Sequence, residues 1–325
     1  MTGGRARRAC GVRGTALRLA AAGALASVAA AGCSGSPGSL TGGAGSPGPT
    51  ATSSPGSSPD RLPSRNSPFL PMSRALASRS GRITAALYDE RTGQTWVYHG
   101  GLREVTASIV KVQIMGTAMR TAALAGRPLP GQLPASEQAL IPTMIENSDN
   151  NAATAMLAKV GGPAALAAFD RAAGLTSTVP SRLRFIPGTT LPGWGLTTTT
   201  ALDQVRLVRA FAYPGRLLSG QDRAYGLNLM EHVESDQAWG ISGGVPAAGS
   251  TIALKNGWLP LSGAGWTINS IGWVSGHGRN YVLAVLTDHD PAYQYGIATI
   301  EQIAAKVYAD LAPAAAGRNG QNAGF

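Results

Sequence analysis

Charge is scarce in this chain of 325 residues: Asp, Glu, Lys and Arg make up 14%. That is too little for a coiled coil or a charge-extended linker protein. Cysteine is scarcer, with only Cys10 and Cys33, both near the start, so the bulk of the chain must rely on its hydrophobic core rather than on disulfides. The four histidines show no metal spacing, which argues against a zinc site. No uncharged apolar run reaches the roughly 18 residues of a membrane-spanning helix, which excludes a polytopic membrane protein. Aromatic residues are 6% and do not interleave with basic ones as in single-strand binders, so nucleic acid is not an expected partner. Gly and Pro, 43 and 21 residues, stay below the share expected of a wholly disordered chain.

What is present divides by position. The net charge of +10 overstates the basicity of the working part, because Arg5, Arg7, Arg8, Arg13 and Arg18 stand at the start without an acid. From Cys33 onward 22 basic residues face 17 acidic ones, and the positives are scattered. Residues 1–32 read as an export signal, an Arg-rich region followed by the uncharged stretch Leu19 to Gly32. Ala30-Ala31-Gly32-Cys33 resembles the lipobox of bacterial lipoproteins, in which the Cys carries the lipid. Plain cleavage and secretion is the alternative, and Arg7-Arg8 also permits a twin-arginine route.

Residues 34–59 hold 23 Gly, Pro, Ser or Thr among 26. Such a segment cannot bury enough apolar surface to offset its chain entropy, so 33–71 is expected to be a lipidated Cys and a flexible tether. An anchored domain needs that spacer to reach past the membrane surface. The expected location is the outer face of the bacterial cytoplasmic membrane. The folded domain is expected over 72–312, with a frayed tail at 313–325.

Within that domain strands stand at both ends and helices between. Arg82–Tyr88 and Thr95–Tyr98 flank Asp89-Glu90-Arg91-Thr92-Gly93, a hairpin signal. Helical patterns cover Ser108–Ala125, a segment opened by Ser136 as N-cap, Asn151–Val160, Pro163–Ala173 and Ala201–Phe211. Strand-like runs return at Thr251–Leu254, Trp266–Val274 and Tyr281–Thr287, before an amphipathic helix at Ile297–Leu311. This is an α+β order in which the terminal pieces share one sheet.

Ser108-Ile109-Val110-Lys111 stands at the start of the first long helix, with the Ser and Lys side chains on one face. A serine hydroxyl is a poor nucleophile unless a base takes its proton. A partly buried Lys with a depressed pKa can be that base; Arg cannot. The chain has only four Lys against 23 Arg, and one of the four is here. Alone, S-x-x-K is a weak signal that more often marks an N-cap Ser with an exposed Lys. It is followed 40 residues later by Ser148-Asp149-Asn150, and then by Lys255-Asn256-Gly257-Trp258 on a strand-like run.

The ordered set S-x-x-K, S-D-N and K-x-G resembles the class A β-lactamase and penicillin-binding protein family. The resemblance spans about 82–311 and implies an antiparallel sheet flanked by helices, a helical subdomain, and a site at their junction. It implies a serine hydrolase with an acyl-enzyme mechanism and no cofactor. Ser108 would be the nucleophile, Lys111 its base and Ser148 a proton relay. Asn150 would hold the substrate amide and Lys111; Lys255 would face the substrate carboxylate. Asn256, Gly257 and Trp258 complete the binding strand, and the N–H groups of Ser108 and Trp258 would form an oxyanion hole. Asp149 reads as a loop cap. The implied partner is a β-lactam or acyl-amide, with a peptidoglycan stem peptide as a further candidate, and the chain is expected to act as a monomer.

Two departures stand out. The family's Ω-loop carries a Glu that activates the deacylating water, but Ser181 to Thr197 contains no carboxylate, and Asp170 and Asp203 fall in flanking helices. Asn256 also stands where Thr or Ser is usual. Acylation is therefore expected, with slow hydrolysis of the adduct. A D-Ala-type cell-wall peptidase or esterase, and a binding lipoprotein without turnover, remain the alternatives. Gly240-Ile241-Ser242-Gly243-Gly244 spells a nucleophile elbow but lacks the strand before and helix after it that this motif needs. Gly43–Gly48 spells G-x-G-x-x-G inside the tether, with nothing to seat a dinucleotide.

Overall fold

The computed structural model describes residues 67–126, 138–261 and 263–311. The expected signal segment, Cys33, nearly all of the tether, the Ser136 cap and the 313–325 tail lie outside the described residues. Packing begins ahead of residue 72: Phe69 is wholly buried, its ring 6.3 Å from that of Tyr98.

A short helix α1 (Ser73–Ala77) leads into the hairpin β1 (Arg82–Asp89) and β2 (Gln94–Tyr98). Asp89 closes that turn by accepting the Arg91 N–H at 3.2 Å, and Gly93 takes the positive φ of 68° there. A two-residue strand β3 (Glu104–Val105) and a 3₁₀ turn at Ala107–Ile109 precede α2 (Val110–Leu124). The helical region continues with α3 (Leu140–Glu146), α4 (Asn150–Lys159) and α5 (Gly162–Ala173). Asp149 caps α4 by accepting the Ala152 N–H at 2.7 Å, the loop-capping part read for it from the sequence. After β4 (Thr198–Thr199), which pairs with β3, come α6 (Ala201–Ala212) and α7 (Gly220–Glu231). The chain then returns through β5 (Ser250–Leu261), β6 (Gly265–Gly276), β7 (Arg279–Asp290) and α8 (Tyr293–Asp310).

The main sheet is antiparallel in the order β2-β1-β7-β6-β5, so the first and last strands of the chain pair, as the sequence order implies. Alternation along the strands builds two cores. Ile83, Ala85 and Leu87 of β1, with Tyr281, Leu283 and Val285 of β7, join Ile300, Ile303 and Val307 of α8 on one face. Ala86 and Tyr88, with Val282, Ala284 and Leu286, face Val205, Val208 and the buried side of α2 on the other. This is the α+β sheet flanked by helices that the sequence implies. Among the described residues no single helix is long and apolar enough to cross a membrane.

The strands run longer than their apolar runs suggest. β5 continues past Leu254 through Pro260, which an edge strand tolerates because it needs no N–H on the open side. Helix α7 has no counterpart in the apolar periodicity: Gly220 and Gly226 weaken its propensity. Gly226 is required there, since a Cβ would lie 2.6 Å from the Phe211 ring.

Candidate active site

The site is built where the start of α2 meets the edge strand β5. Two left-handed residues set its backbone, Ala107 at φ 46° and Ser148 at φ 56°. A non-glycine residue in that region carries about 1–3 kcal/mol of strain and persists only where surroundings impose it. The imposing contacts are visible. Thr106 N–H donates to Thr197 O at 2.8 Å, and Asn269 of β6 donates from Nδ2 to Val105 O and Thr106 O at 2.8 and 3.0 Å. Gly257 lets β5 press on the same turn, because a Cβ there would meet Ser108 N at 2.7 Å and Ile109 N at 2.8 Å.

Lys111 is wholly buried, and its Nζ touches four oxygens: Ser108 Oγ at 3.0 Å, Ser148 Oγ at 3.0 Å, Ser148 O at 2.5 Å and Asn150 Oδ1 at 2.9 Å. Burial, reinforced by the charge of Lys255 and opposed by that of Asp149, lowers the Lys111 pKa to about 6. A neutral amine suits this cage. Two N–H groups donate to the carbonyl oxygens of Ser148 and Asn150, and the lone pair accepts from a serine hydroxyl. Nucleophile, base and relay candidates from the sequence thus meet at one nitrogen.

Lys255 is also wholly buried; its Nζ donates to Asn256 O at 3.2 Å, and burial lowers its pKa to about 7. Asn256 departs from the contact expected of it. Its side chain is buried and its Nδ2 donates to Gln237 O at 2.7 Å and Trp239 O at 2.8 Å. It ties β5 to a loop rather than facing a substrate. The same loop grips the Ser148 turn, with Gln237 Nε2 donating to Asn147 O and Asn147 Nδ2 donating to Glu234 Oε1. Asn256 is therefore a structural link between two of the three motifs.

A cavity of about 370 Å³ opens over Ser108, Ser148 and Asn150, and Trp258 forms part of its wall. Lys255, Asn256 and Gly257 are not among its lining residues. The segment 181–197 supplies Ile186, Leu191 and Trp194 to the same lining. Trp194 donates its indole N–H to Thr154 Oγ1 at 3.0 Å, and its ring centre lies 5.1 Å from Lys111 Nζ. An indole ring, and no carboxylate, faces the lysine from this segment. Asp170 accepts from Gln113 Nε2 inside the helical core, and Asp203 accepts from Ser177 N–H and Thr178 Oγ1. Both hold the fold.

The profile described as the β-lactamase enzyme family matches residues 128–311, more than half of the chain. The chain belongs to the β-lactamase enzyme family. It is, as such, a serine hydrolase. The matched region includes the Ser148 and Lys255 motifs and begins after Ser108 and Lys111. Among solved structures the chain is similar to the class A β-lactamase of the last common ancestor of Gram-negative bacteria, at 23% identity and a TM-score of 0.61 over 74% of this chain and 98% of that one. The chromosome-encoded β-lactamase of Vibrio parahaemolyticus superposes with a TM-score of 0.62 at 20% identity, over 75% of this chain and 98% of that one. At these identities the likeness is one of fold. No curated protein matches the chain.

Several residues of this β-lactamase-family site have no motif to announce them. Trp194, Ile186 and Leu191 sit in an irregular segment where periodicity carries no information, and Asn269 looks like one polar residue in a strand. The only advance signal for Trp194 is a large aromatic in a segment otherwise rich in Gly, Pro and Thr. The rival elbow is a turn: Ser242 Oγ donates to Ala238 O at 2.6 Å. Its glycines serve packing, since a Cβ on Gly243 or Gly244 would collide with α8 at Glu301 or Ala305.

Proposed function

We propose that Ser108 forms an acyl-enzyme with strained or activated amides and esters, β-lactams among them, and that the adduct is long-lived. The observation that carries this reading is the buried Lys111 amine, 3.0 Å from Ser108 Oγ and held to a pKa of about 6. At neutral pH it is mostly unprotonated and serves as general base. Ser108 Oγ forms the bond to the carbonyl carbon, and its proton passes to Lys111 Nζ. From there it moves through Ser148 Oγ, also 3.0 Å away, to the leaving nitrogen or oxygen as that atom's bond to the carbon breaks. The N–H groups of Ser108 and Trp258, brought close by Gly257, receive the tetrahedral oxyanion.

Release is the slow step in this reading. A water attacking the acyl carbon needs a base of its own. The carboxylate whose charge acts on Lys111 belongs to Asp149, which is committed to capping α4. Segment 181–197 contributes the apolar Trp194 ring beside Lys111 instead. The test is intact mass over time after exposure of the protein to a penicillin. A single adduct is expected that is absent in Ser108→Ala and decays over many minutes. A folded wild type that gains no mass across several β-lactam classes overturns the reading; rapid loss of the adduct overturns the slow release.

A further inference from the structure

The cavity over Ser108 has an unusual division of polarity. Its polar side chains are Ser108, Ser148 and Asn150, all on the reacting side. The rest of the wall is apolar, with Ile186, Leu191 and Trp194 joined by Trp258, Pro260 and Trp266. No lining residue among those described carries a charge. Both nearby lysine nitrogens are sealed off. Lys111 is wholly buried and occupied by four oxygens, and Lys255 is wholly buried with Nζ turned to its own strand.

The aromatic wall is also rigid. Trp266 packs edge-on to Tyr293 with centroids 5.5 Å apart, and Trp258 meets Tyr293 at 6.0 Å and Trp239 at 6.1 Å. Rings held this way present fixed edges and faces to whatever enters. A sugar would need hydrogen-bonding groups around its rim, which this wall does not offer. An anion would leave water for a wall without a cation, an unfavourable transfer unless it is paired. An apolar or aromatic group gains from the same transfer.

We infer that the site prefers neutral acyl donors, esters or amides that carry a bulky apolar or aromatic group and no carboxylate beside the scissile bond. This rests on the acyl-enzyme reading of Ser108 and narrows it, setting esters of apolar acids ahead of peptides that end in a free carboxylate. The balanced step is the one given above: the Ser108 Oγ–acyl bond forms, the acyl–oxygen or acyl–nitrogen bond breaks, and the serine proton leaves with the departing group.

The experiment uses a matched pair, a β-lactam with its free carboxylate and the methyl ester of the same compound. Each is prepared with a phenylacetyl and with an acetyl side chain. Acylation rates at Ser108 are followed by intact mass and divided by each compound's rate of hydroxide hydrolysis. The methyl ester is expected to acylate about tenfold faster than the acid, and the phenylacetyl compound faster than the acetyl one, by the same order. Trp266→Ala is expected to shrink the phenylacetyl-to-acetyl ratio, a ratio that partial unfolding does not change. Equal or faster acylation by the acid overturns the preference while leaving the acyl-enzyme reading intact. Absence of adduct with all four compounds overturns that reading and the preference with it.

Discussion

In the proposed reaction, Lys111 concentrates the chemistry in one nitrogen. An exposed lysine would be almost wholly protonated at pH 7 and useless as a base. Burial makes the charged form costly, the positive Lys255 adds to the cost, and the pKa falls to about 6. The sign fixes the pH response. Below about 6 the amine is protonated and cannot take the Ser108 proton; above it the base form dominates. With a neutral acyl donor, so that the substrate itself does not titrate, the acylation rate is expected to rise about tenfold per pH unit at the acid end and flatten above the lysine pKa. Lys111→Arg is expected to lose the reaction at all these pH values, because a guanidinium stays charged. Stopped-flow or quenched mass measurements from pH 4.5 to 8.5 decide it, and a flat wild-type profile would remove Lys111 from the role of base.

At the scale of elements, the site depends on how closely β5 approaches the turn before α2. Gly257 is the point of contact, with Ser108 N, Ile109 N and Thr106 O all within 2.8 Å of where a Cβ would stand. These are backbone atoms held by Asn269 and Thr197, so they do not yield cheaply. Gly257→Ala is expected to push the strand away and misplace the Trp258 N–H. Loss of one oxyanion donor costs about 10²–10³ in rate, whereas overpacking costs about 1–3 kcal/mol of stability. Acylation rate and urea unfolding of the same variant check both, and an acylation rate near wild type in a folded Gly257→Ala would refute the contact's role. The three motifs and the end strands were legible because each is a local pattern: S-x-x-K on a helix face, a cap at Asp149, alternation in β1 and β7. Asn256 was legible as a departure, but its destination was not, since its partners Gln237 and Trp239 lie across a loop. Helix α7 was hidden by its glycines, of which Gly226 makes room for Phe211. Trp194 was hidden because its meaning depends on the distance to Lys111 rather than on any neighbour in sequence.

Across the whole molecule, buried ionisable groups pull stability in opposite directions with pH. Lys111 and Lys255 have folded pKa values near 6 and 7, below their ordinary 10.5, so the folded state binds fewer protons than the unfolded chain between those limits. Their contribution to stability is present at high pH and is lost as pH falls toward the folded values. Asp170 does the reverse. Burial between α2 and α5 raises its pKa from 3.8 to about 7, opposed by the hydrogen bond from Gln113. The folded state holds a proton that the unfolded chain has released, so the stability it confers is full below about 4 and is lost as pH rises through about 7. Asp170→Asn keeps the oxygen that accepts from Gln113 and cannot ionise. It is expected to match the wild type at pH 5 more closely than at pH 8, where it should be more stable by on the order of 2 kcal/mol. Denaturant midpoints of both proteins at the two pH values measure the difference, and an equal change from pH 5 to pH 8 in both would show that Asp170 does not titrate with folding. Because Asp170 lies in the helical core and not against the cavity, the variant's acylation profile should remain that of Lys111. The stability response and the catalytic response to pH then separate into two residues on two helical faces of one fold.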